Sequence, residues 1–458
     1  MENINLNNIK GKKVLVVGMG KSGIAAIQAM LKLGADVTVQ DAKNADEMDG
    51  QLLNFLTGKG LKLCLGSIPE DVCDFDMMIL SPGVDPNLDF ICRARDAGVE
   101  ITGELEIAYR ICRGRFVAIT GTNGKTTTTA LTGEIFKRSG RATYVVGNIG
   151  VAVISKALDT GEDDWLVTET SSFQLETTRY FKPVVSAILN ITPDHLNRHH
   201  TMENYSLAKA KIFANQDESG YCIINGDDGI CCRLAEKCRA KVRLFSLEKE
   251  LKDGAFLKDD RLFIADDGKI SELCRADELK IIGRHNIQNA LAAAAISYYA
   301  GIEIPVIREG LINFGGVEHR IEYCGTVDGV KYYNDSKATN VDAAVTAINA
   351  VGKDIILIAG GDGKGQDFTD LIKNFKGRVK KLILLGRDGP AIKQAADKEG
   401  YKDYEFCANM EDCVKLAAHA ASAGDTVLLS PACASWDMYD NFEQRGRHFK
   451  EIVARLSK

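Results

Sequence analysis

Residues 118–131 read AITGTNGKTTTTAL. An apolar strand runs into Gly121, a short glycine turn follows, and a helix opens at Lys125 with threonines behind it. The usual phosphate-loop formula places four residues between its first glycine and its Gly-Lys pair, whereas only Thr122 and Asn123 separate Gly121 from Gly124. The physical parts of a phosphate grip are nevertheless all present: backbone N–H groups at a helix N-terminus, an ammonium and the Thr126 hydroxyl. A cation at the positive end of a helix dipole is unfavourable unless an anion sits beside it, so Lys125 at this position itself points to a polyanionic ligand.

Working outward, the chain alternates short apolar runs with helical stretches. KKVLVVGMG (12–20), ADVTVQD (35–41) and DMMILSPG (76–83) read as strands of a first parallel unit. RFVAITG (115–121), DWLVTE (164–169) and VSAILNIT (185–192) read as buried strands of a second. Residues 255–273, with Asp-Asp and Asp-Asp-Gly signals, read as hairpins forming a small β-sheet annexed to that unit. VKYYND (330–335), DIILIAGG (354–361), KKLILLG (380–386) and DTVLLSP (425–431) give a third. The expected fold is therefore α/β in three domains: Rossmann-like over 1–103, a phosphate-loop ATPase type over 104–316, and Rossmann-like again over 317–458.

At 458 residues and a formal net charge of −6, the chain has the composition of a soluble globular protein and lacks the basic footprint of a nucleic-acid binder. No run reaches the ~18 apolar residues of a membrane span, and MENINLNNIKGKK lacks the apolar core of a signal peptide. The 13 cysteines are scattered, odd in number and form no CxxC pair, which excludes a zinc ribbon or disulfide framework and fits reduced thiols in the cytoplasm. Cys231 and Cys232 read as packing residues.

Gly18, Gly20 and Gly23 in VVGMGKSG, with Asp41 closing the next strand, match the dinucleotide fingerprint. That pattern alone suits an NAD-dependent oxidoreductase, but what it offers physically is room for a diphosphate, so a UDP group fits equally well. Glu169 ends a strand, and Asp194 and His195 follow the tip of another. Both are positions where metal-holding groups would stand beside a phosphate loop.

GTNGKTT, ETSSFQLE, NITPDHLNRH, YSLAKAKI, GRHNIQNALAA, EHRIE, YNDSKATN, GGDGKGQDF and SPACASWDMYDNFEQRG stand in this order over nearly the whole chain. In this the sequence resembles the Mur ligases, ATP-dependent amide-forming enzymes that assemble the peptide of bacterial peptidoglycan. SSFQLE, NDSKATN and the ACAS to NFEQRG segment are most similar to members that add D-glutamate to a UDP-linked muramoyl-alanine.

The resemblance implies transfer of the ATP γ-phosphoryl group to the alanyl carboxylate, followed by attack of the D-glutamate amine on the acyl phosphate. It implies nucleotide contact by Gly121, Thr122, Asn123, Gly124, Lys125, Thr126, Thr127 and Asn289, with Arg320 and Asp335 from the third domain. Two Mg2+ ions are implied, Thr126 and Glu169 serving one and His195 and Lys209 the other, with Lys209 carbamylated by CO2. Lys125, Glu169, His195 and Lys209 are thus the implied catalytic set. The helix pattern alone makes Lys209 and Lys211 solvent-facing, and it is the family register that selects Lys209. Lys21, Ser22, Asp41, Ser81, Gly83 and Asn148 would meet the UDP substrate, and Thr339, Lys364, Ser435 and the backbone near Phe442 would receive D-glutamate. Closure of the third domain would exclude water from the acyl phosphate.

The implied partners are small molecules, with no nucleic acid or membrane, acting on a monomer. Competing readings are a relative that adds a different amino acid or acts on a folate, a dehydrogenase using GMGKSG, and a non-catalytic nucleotide switch.

Overall fold

The structure is a computed structural model that describes residues 9–456. The chain divides into two compact units, Met1–Glu278 with Gln288–Ile312, and Leu279–Ile287 with Asn313–Lys458. The first holds two sheets and the second holds one.

The N-terminal sheet has five parallel strands, in the order Lys62–Leu65, Asp36–Asp41, Lys13–Val17, Met77–Leu80, Glu100–Gly103. The central strand Lys13–Val17 is buried on both faces beyond its first residue, as a covered parallel sheet requires. The helix Lys21–Lys32 follows its glycine turn. Gly23 has no alternative there, because a Cβ would collide with the Gly18 carbonyl oxygen where helix packs on strand.

The second sheet has nine strands. Its core is parallel: Thr143–Gly147, Trp165–Glu169, Arg115–Thr120, Val185–Ile188, Tyr221–Asn225 and Lys241–Ser246 lie side by side in that order. The annexed hairpin strands Gly254–Lys258, Arg261–Asp266 and Lys269–Arg275 do not form a separate layer. Gly254–Lys258 pairs parallel with Lys241–Ser246, and the other two add antiparallel beyond it, so the annex extends the main sheet. Phe116, Val117, Ala118 and Ile119 are essentially inaccessible to solvent. Full burial of such apolar side chains is worth about 1.5–3 kcal/mol each for the larger ones, which fixes the strand that launches the glycine loop.

Because Arg115–Thr120 runs parallel between Trp165–Glu169 and Val185–Ile188, all three carboxyl ends emerge on one edge. The exits are stitched together. Thr120 Oγ1 donates to the Thr170 carbonyl at 2.8 Å, Thr170 N to the Ile119 carbonyl at 2.8 Å, and Leu189 N to the Thr120 carbonyl at 3.0 Å.

The second unit carries six strands in the order Glu322–Val327, Val330–Asn334, Thr426–Leu429, Ile355–Gly360, Val379–Leu385, Tyr404–Phe406, parallel except for the first pair. Helices cover both faces, with Val341–Val351, Thr369–Lys373 and Gly389–Lys398 against one core and Met410–Ala420 and Phe442–Leu456 against the other.

Candidate active site

The glycine loop closes at Gly124, whose φ of 81° suits a residue without a Cβ, and a Cβ there would strike Asn289 Oδ1. Asn289, on the helix Arg284–Tyr299, also accepts from Thr128 Oγ1 at 3.3 Å and so lies against the helix Lys125–Arg138 that the loop opens. Asn123 is clasped in both directions by Asn190: Asn123 N donates to Asn190 Oδ1 at 2.8 Å and Asn190 Nδ2 to the Asn123 carbonyl at 3.1 Å. Thr122 Oγ1 donates to the Thr192 carbonyl and lies 3.1 Å from the Tyr205 hydroxyl. Asn190 and Tyr205 were not singled out from sequence. The signal was available in the NIT tail of the neighbouring strand, which topology brings beside the loop.

Two lysines converge on this loop. Lys125 Nζ donates to the carbonyls of Gly121, at 2.9 Å, and Thr122, at 2.7 Å, while Lys209 Nζ donates to the same Gly121 carbonyl at 2.8 Å. The solvent-facing position expected for Lys209 is corrected here: it is 2% exposed and lies over the Tyr205 ring at 4.7 Å. The helix Met202–Ala210 has little amphipathic contrast to reveal this, since Ser206 and Lys209 are buried on it beside Tyr205 and Ala208. Burial, and then the charge of Lys125, push the Lys209 amine down to about 7.

Glu169 is 1% exposed, with Oε1 accepting from Asn148 Nδ2 at 2.8 Å and Oε2 buried without a hydrogen-bond partner among the described residues. Asn148, expected at the UDP substrate, is therefore also the residue that orients this carboxylate. Thr126 and Thr127 are buried on the first turn of the helix. His195 takes a left-handed backbone, φ 52°, and stays half exposed, its ring 4.9 Å from Phe173 and its Nε2 3.5 Å from Asp194 Oδ2.

In the N-terminal domain, Gly18, Lys21, Ser22, Asp41, Ser81 and Gly83 line one open cleft of about 320 Å³. Asp41 is partly committed: its Oδ2 accepts from Met19 N at 2.6 Å and its Oδ1 from Lys43 N at 3.0 Å. Ser81 Oγ donates to the Gly18 carbonyl at 2.8 Å and pins the glycine turn to the SPG turn.

The remaining expected residues belong to the second unit. Asp335 is buried, accepts from Ser430 Oγ at 2.8 Å and from Ile321 N at 3.2 Å, and burial raises its pKa to about 7. The Arg320 Nε is buried and unpartnered among the described residues. Thr339, Lys364 and Ser435 sit on loops after strand ends, and Phe442 opens the last helix. Arg445, also not anticipated, ties two of these loops together. It is 2% exposed and donates to Ser336 Oγ at 2.9 Å, to the Ser336 carbonyl at 2.8 Å and to the Cys433 carbonyl at 3.1 Å. Ser336 Oγ in turn donates to the Phe442 carbonyl at 2.8 Å.

A phosphate-type loop flanked by a buried carboxylate, with a diphosphate-sized cleft elsewhere in the same unit, defines a nucleotide-using α/β enzyme. Three family comparisons match: the Mur ligase MurD-like N-terminal domain over residues 12–103, the Mur ligase middle domain over 119–297 and the Mur ligase glutamate ligase domain over 319–433. The chain belongs to the Mur ligase family, whose members are ATP-dependent. It is 48% identical over 450 residues to the UDP-N-acetylmuramoylalanine–D-glutamate ligase of Clostridioides difficile, covering 98% of this chain and 100% of that one. The ligase of the same name from Alkaliphilus metalliredigens is 46% identical over 454 residues, covering 98% and 99%.

Among solved structures, the fold is similar to UDP-N-acetylmuramate-alanine ligase from Thermotoga maritima, with a TM-score of 0.61, 20% identity, and coverage of 97% of this chain and 99% of that one. It is also similar to MurF from Acinetobacter baumannii, with a TM-score of 0.59, 16% identity, and coverage of 84% and 91%. No helix among the described residues is long and apolar enough to cross a membrane.

Proposed function

We propose that this chain joins D-glutamate to UDP-N-acetylmuramoyl-L-alanine at the expense of ATP, a step in peptidoglycan precursor synthesis. The observation that carries the ATP half of this reading is the Lys125 ammonium, held at the glycine loop by the Gly121 and Thr122 carbonyls at 2.9 and 2.7 Å. A cation at the positive end of the helix Lys125–Arg138 is unfavourable on its own and becomes favourable once a polyphosphate enters the loop. The full-length identity to D-glutamate ligases supports the choice of amino acid and of UDP substrate.

In this reading the alanyl carboxylate oxygen attacks the ATP γ-phosphorus and ADP leaves. The D-glutamate amine, having lost its ammonium proton, then attacks the acyl carbon and phosphate departs. The first step brings two anions together, so charge neutralisation and positioning dominate. Lys125 supplies positive charge at the phosphates, backbone N–H groups at the start of the helix Lys125–Arg138 cradle them, and Asn289 holds the loop's closing turn against its helix.

Magnesium would supply the remaining neutralisation and the template for in-line transfer. Thr126 and Glu169 would hold one ion and His195 and Lys209 a second. The donor set fits: Glu169 has a buried oxygen with no hydrogen-bond partner among the described residues, and its other oxygen is fixed by Asn148. Lys209 fits only as a carbamate, since an ammonium cannot ligate a cation. Its hydrogen bond goes to a carbonyl rather than a carboxylate, and burial disfavours the charged amine, which leaves the amine suited to addition of CO2.

The cleft lined by Lys21, Ser22, Asp41, Ser81 and Gly83 would take the UDP group, and Asn148 would stand at the muramoyl end. Lys364, Thr339, Ser435 and the backbone at Phe442 would receive D-glutamate, whose two carboxylates require a cation and separated donors. Arg320 and Asp335 would serve the nucleotide.

The test is phosphate release by purified protein with ATP, Mg2+ and UDP-N-acetylmuramoyl-L-alanine against a panel of amino acids. D-glutamate is expected to stimulate release well above L-alanine, lysine or diaminopimelate. A preference for any of these, or for a glutamyl-folate acceptor, would overturn the assignment.

A further inference from the structure

Trp436 is the most exposed large apolar residue among the described ones, 65% accessible. Its neighbours are not loose. Ser435 is 2% exposed and its carbonyl accepts from Met438 N and Tyr439 N at 3.0 and 2.8 Å, while Asp437 Oδ2 accepts from Arg387 N at 2.8 Å. The indole is thus displayed by a turn held on both sides. The Lys364 Nζ lies over this indole, 4.3 Å from the ring centroid.

Lys364 itself stands on a braced loop. Asp362 and Ala434 exchange backbone hydrogen bonds at 2.9 and 2.8 Å, Lys364 N donates to Asp362 Oδ1 at 3.1 Å, and Gln366 Nε2 donates to the Ala432 carbonyl at 2.6 Å. Lys364 has a left-handed backbone, φ 52°, which a non-glycine residue adopts at a cost. Two loops are therefore zipped together so that a lysine on one lies across an indole on the other.

We propose that Trp436 is a positioning residue for the amino-acid substrate: its ring face holds the Lys364 ammonium where a carboxylate arrives, and the bound amino acid covers the indole. This deepens, and rests on, the reading of Lys364 as the cation of the D-glutamate site. A free lysine must give up most of its rotamer freedom to meet a ligand, and stacking on an aromatic face removes part of that cost beforehand. The ring engages one side of the ammonium and leaves its other N–H groups for a carboxylate. An anion beside the ammonium also withdraws water from the indole edge.

The sequence holds two tryptophans, and Trp165 is 5% exposed in the central sheet. An amino-acid-induced change in tryptophan emission is therefore expected in the wild type and should be absent from Trp436→Phe. Kinetically, Trp436→Ala should raise KM for D-glutamate about three- to tenfold, as loss of an exposed to partly desolvated cation–π contact implies, and leave KM for ATP unchanged. Trp436→Phe should restore most of the difference. In a Lys364→Ala background the Trp436→Ala change should have little further effect on KM.

An unchanged D-glutamate KM in Trp436→Ala, or an equal increase with and without Lys364, would overturn the proposal. Should the panel above select a different amino acid, the same titrations run with that amino acid, so a wrong substrate and a wrong role for Trp436 give different results.

Discussion

Lys125→Ala is expected to lower ATP-dependent product formation by on the order of 10³-fold or more, the scale associated with removing a cation from a phosphoryl-transfer transition state. The side chain caps its own loop through the Gly121 and Thr122 carbonyls. Its loss leaves Gly121 still bonded to Lys209, so the fold should survive. Binding of UDP-N-acetylmuramoyl-L-alanine, measured calorimetrically without ATP, should change little, because the cleft from Gly18 to Val84 contains no part of the loop. Turnover within a few-fold of wild type would remove Lys125 from the mechanism.

Lys209→Ala should be comparably inactive for a different reason. In the reading above Lys209 acts as a carbamate, so what the variant lacks is a metal-binding oxygen pair, and a small carboxylic acid such as acetate or formate can occupy the space left by the side chain. Partial rescue by added carboxylate, saturating with its concentration and absent from Lys125→Ala, is the expected outcome. Wild-type activity without additive would exclude the carbamate. Among the described residues the Lys209 head group makes no ion pair, and rescue by carboxylate, which a merely destabilised variant would not show, separates lost chemistry from lost packing.

Much of the fold was legible because the buried strands advertise themselves. Ile355–Gly360 and Thr426–Leu429 are continuous apolar runs ending at glycine or Ser-Pro, a pattern that only covered parallel strands need. The edge strand Lys62–Leu65 and the interior strand Lys241–Ser246 are half covered and chemically mixed, so their patterns carry less signal. The hairpins at 254–275 were legible as hairpins, but their attachment to the parallel sheet depends on the backbone pairing of Leu244, Phe245 and Ser246 with Gly254, Ala255 and Phe256, which no side-chain pattern encodes.

At the candidate site, the glycine loop and Glu169 could be read because strand topology forces them together. Four features could not be read. The burial of Lys209 arises from packing against a polar loop, and apolar periodicity does not register that. The Asn148 to Glu169 bond and the Asn123 to Asn190 clasp join residues far apart in sequence, and their polar types suit many surroundings. Arg445 stands among the charged residues of Phe442–Leu456 with nothing in the sequence to set it apart, yet it is a buried brace with carbonyl and hydroxyl partners.

The claim on which the rest depends is that ATP activates a carboxylate as an acyl phosphate. Supplying UDP-N-acetylmuramoyl-L-alanine with an ¹⁸O-labelled alanyl carboxylate tests it directly. One labelled oxygen is expected to leave in the released phosphate, and the other to remain in the new amide. Phosphate free of label, with product formed, would contradict the account.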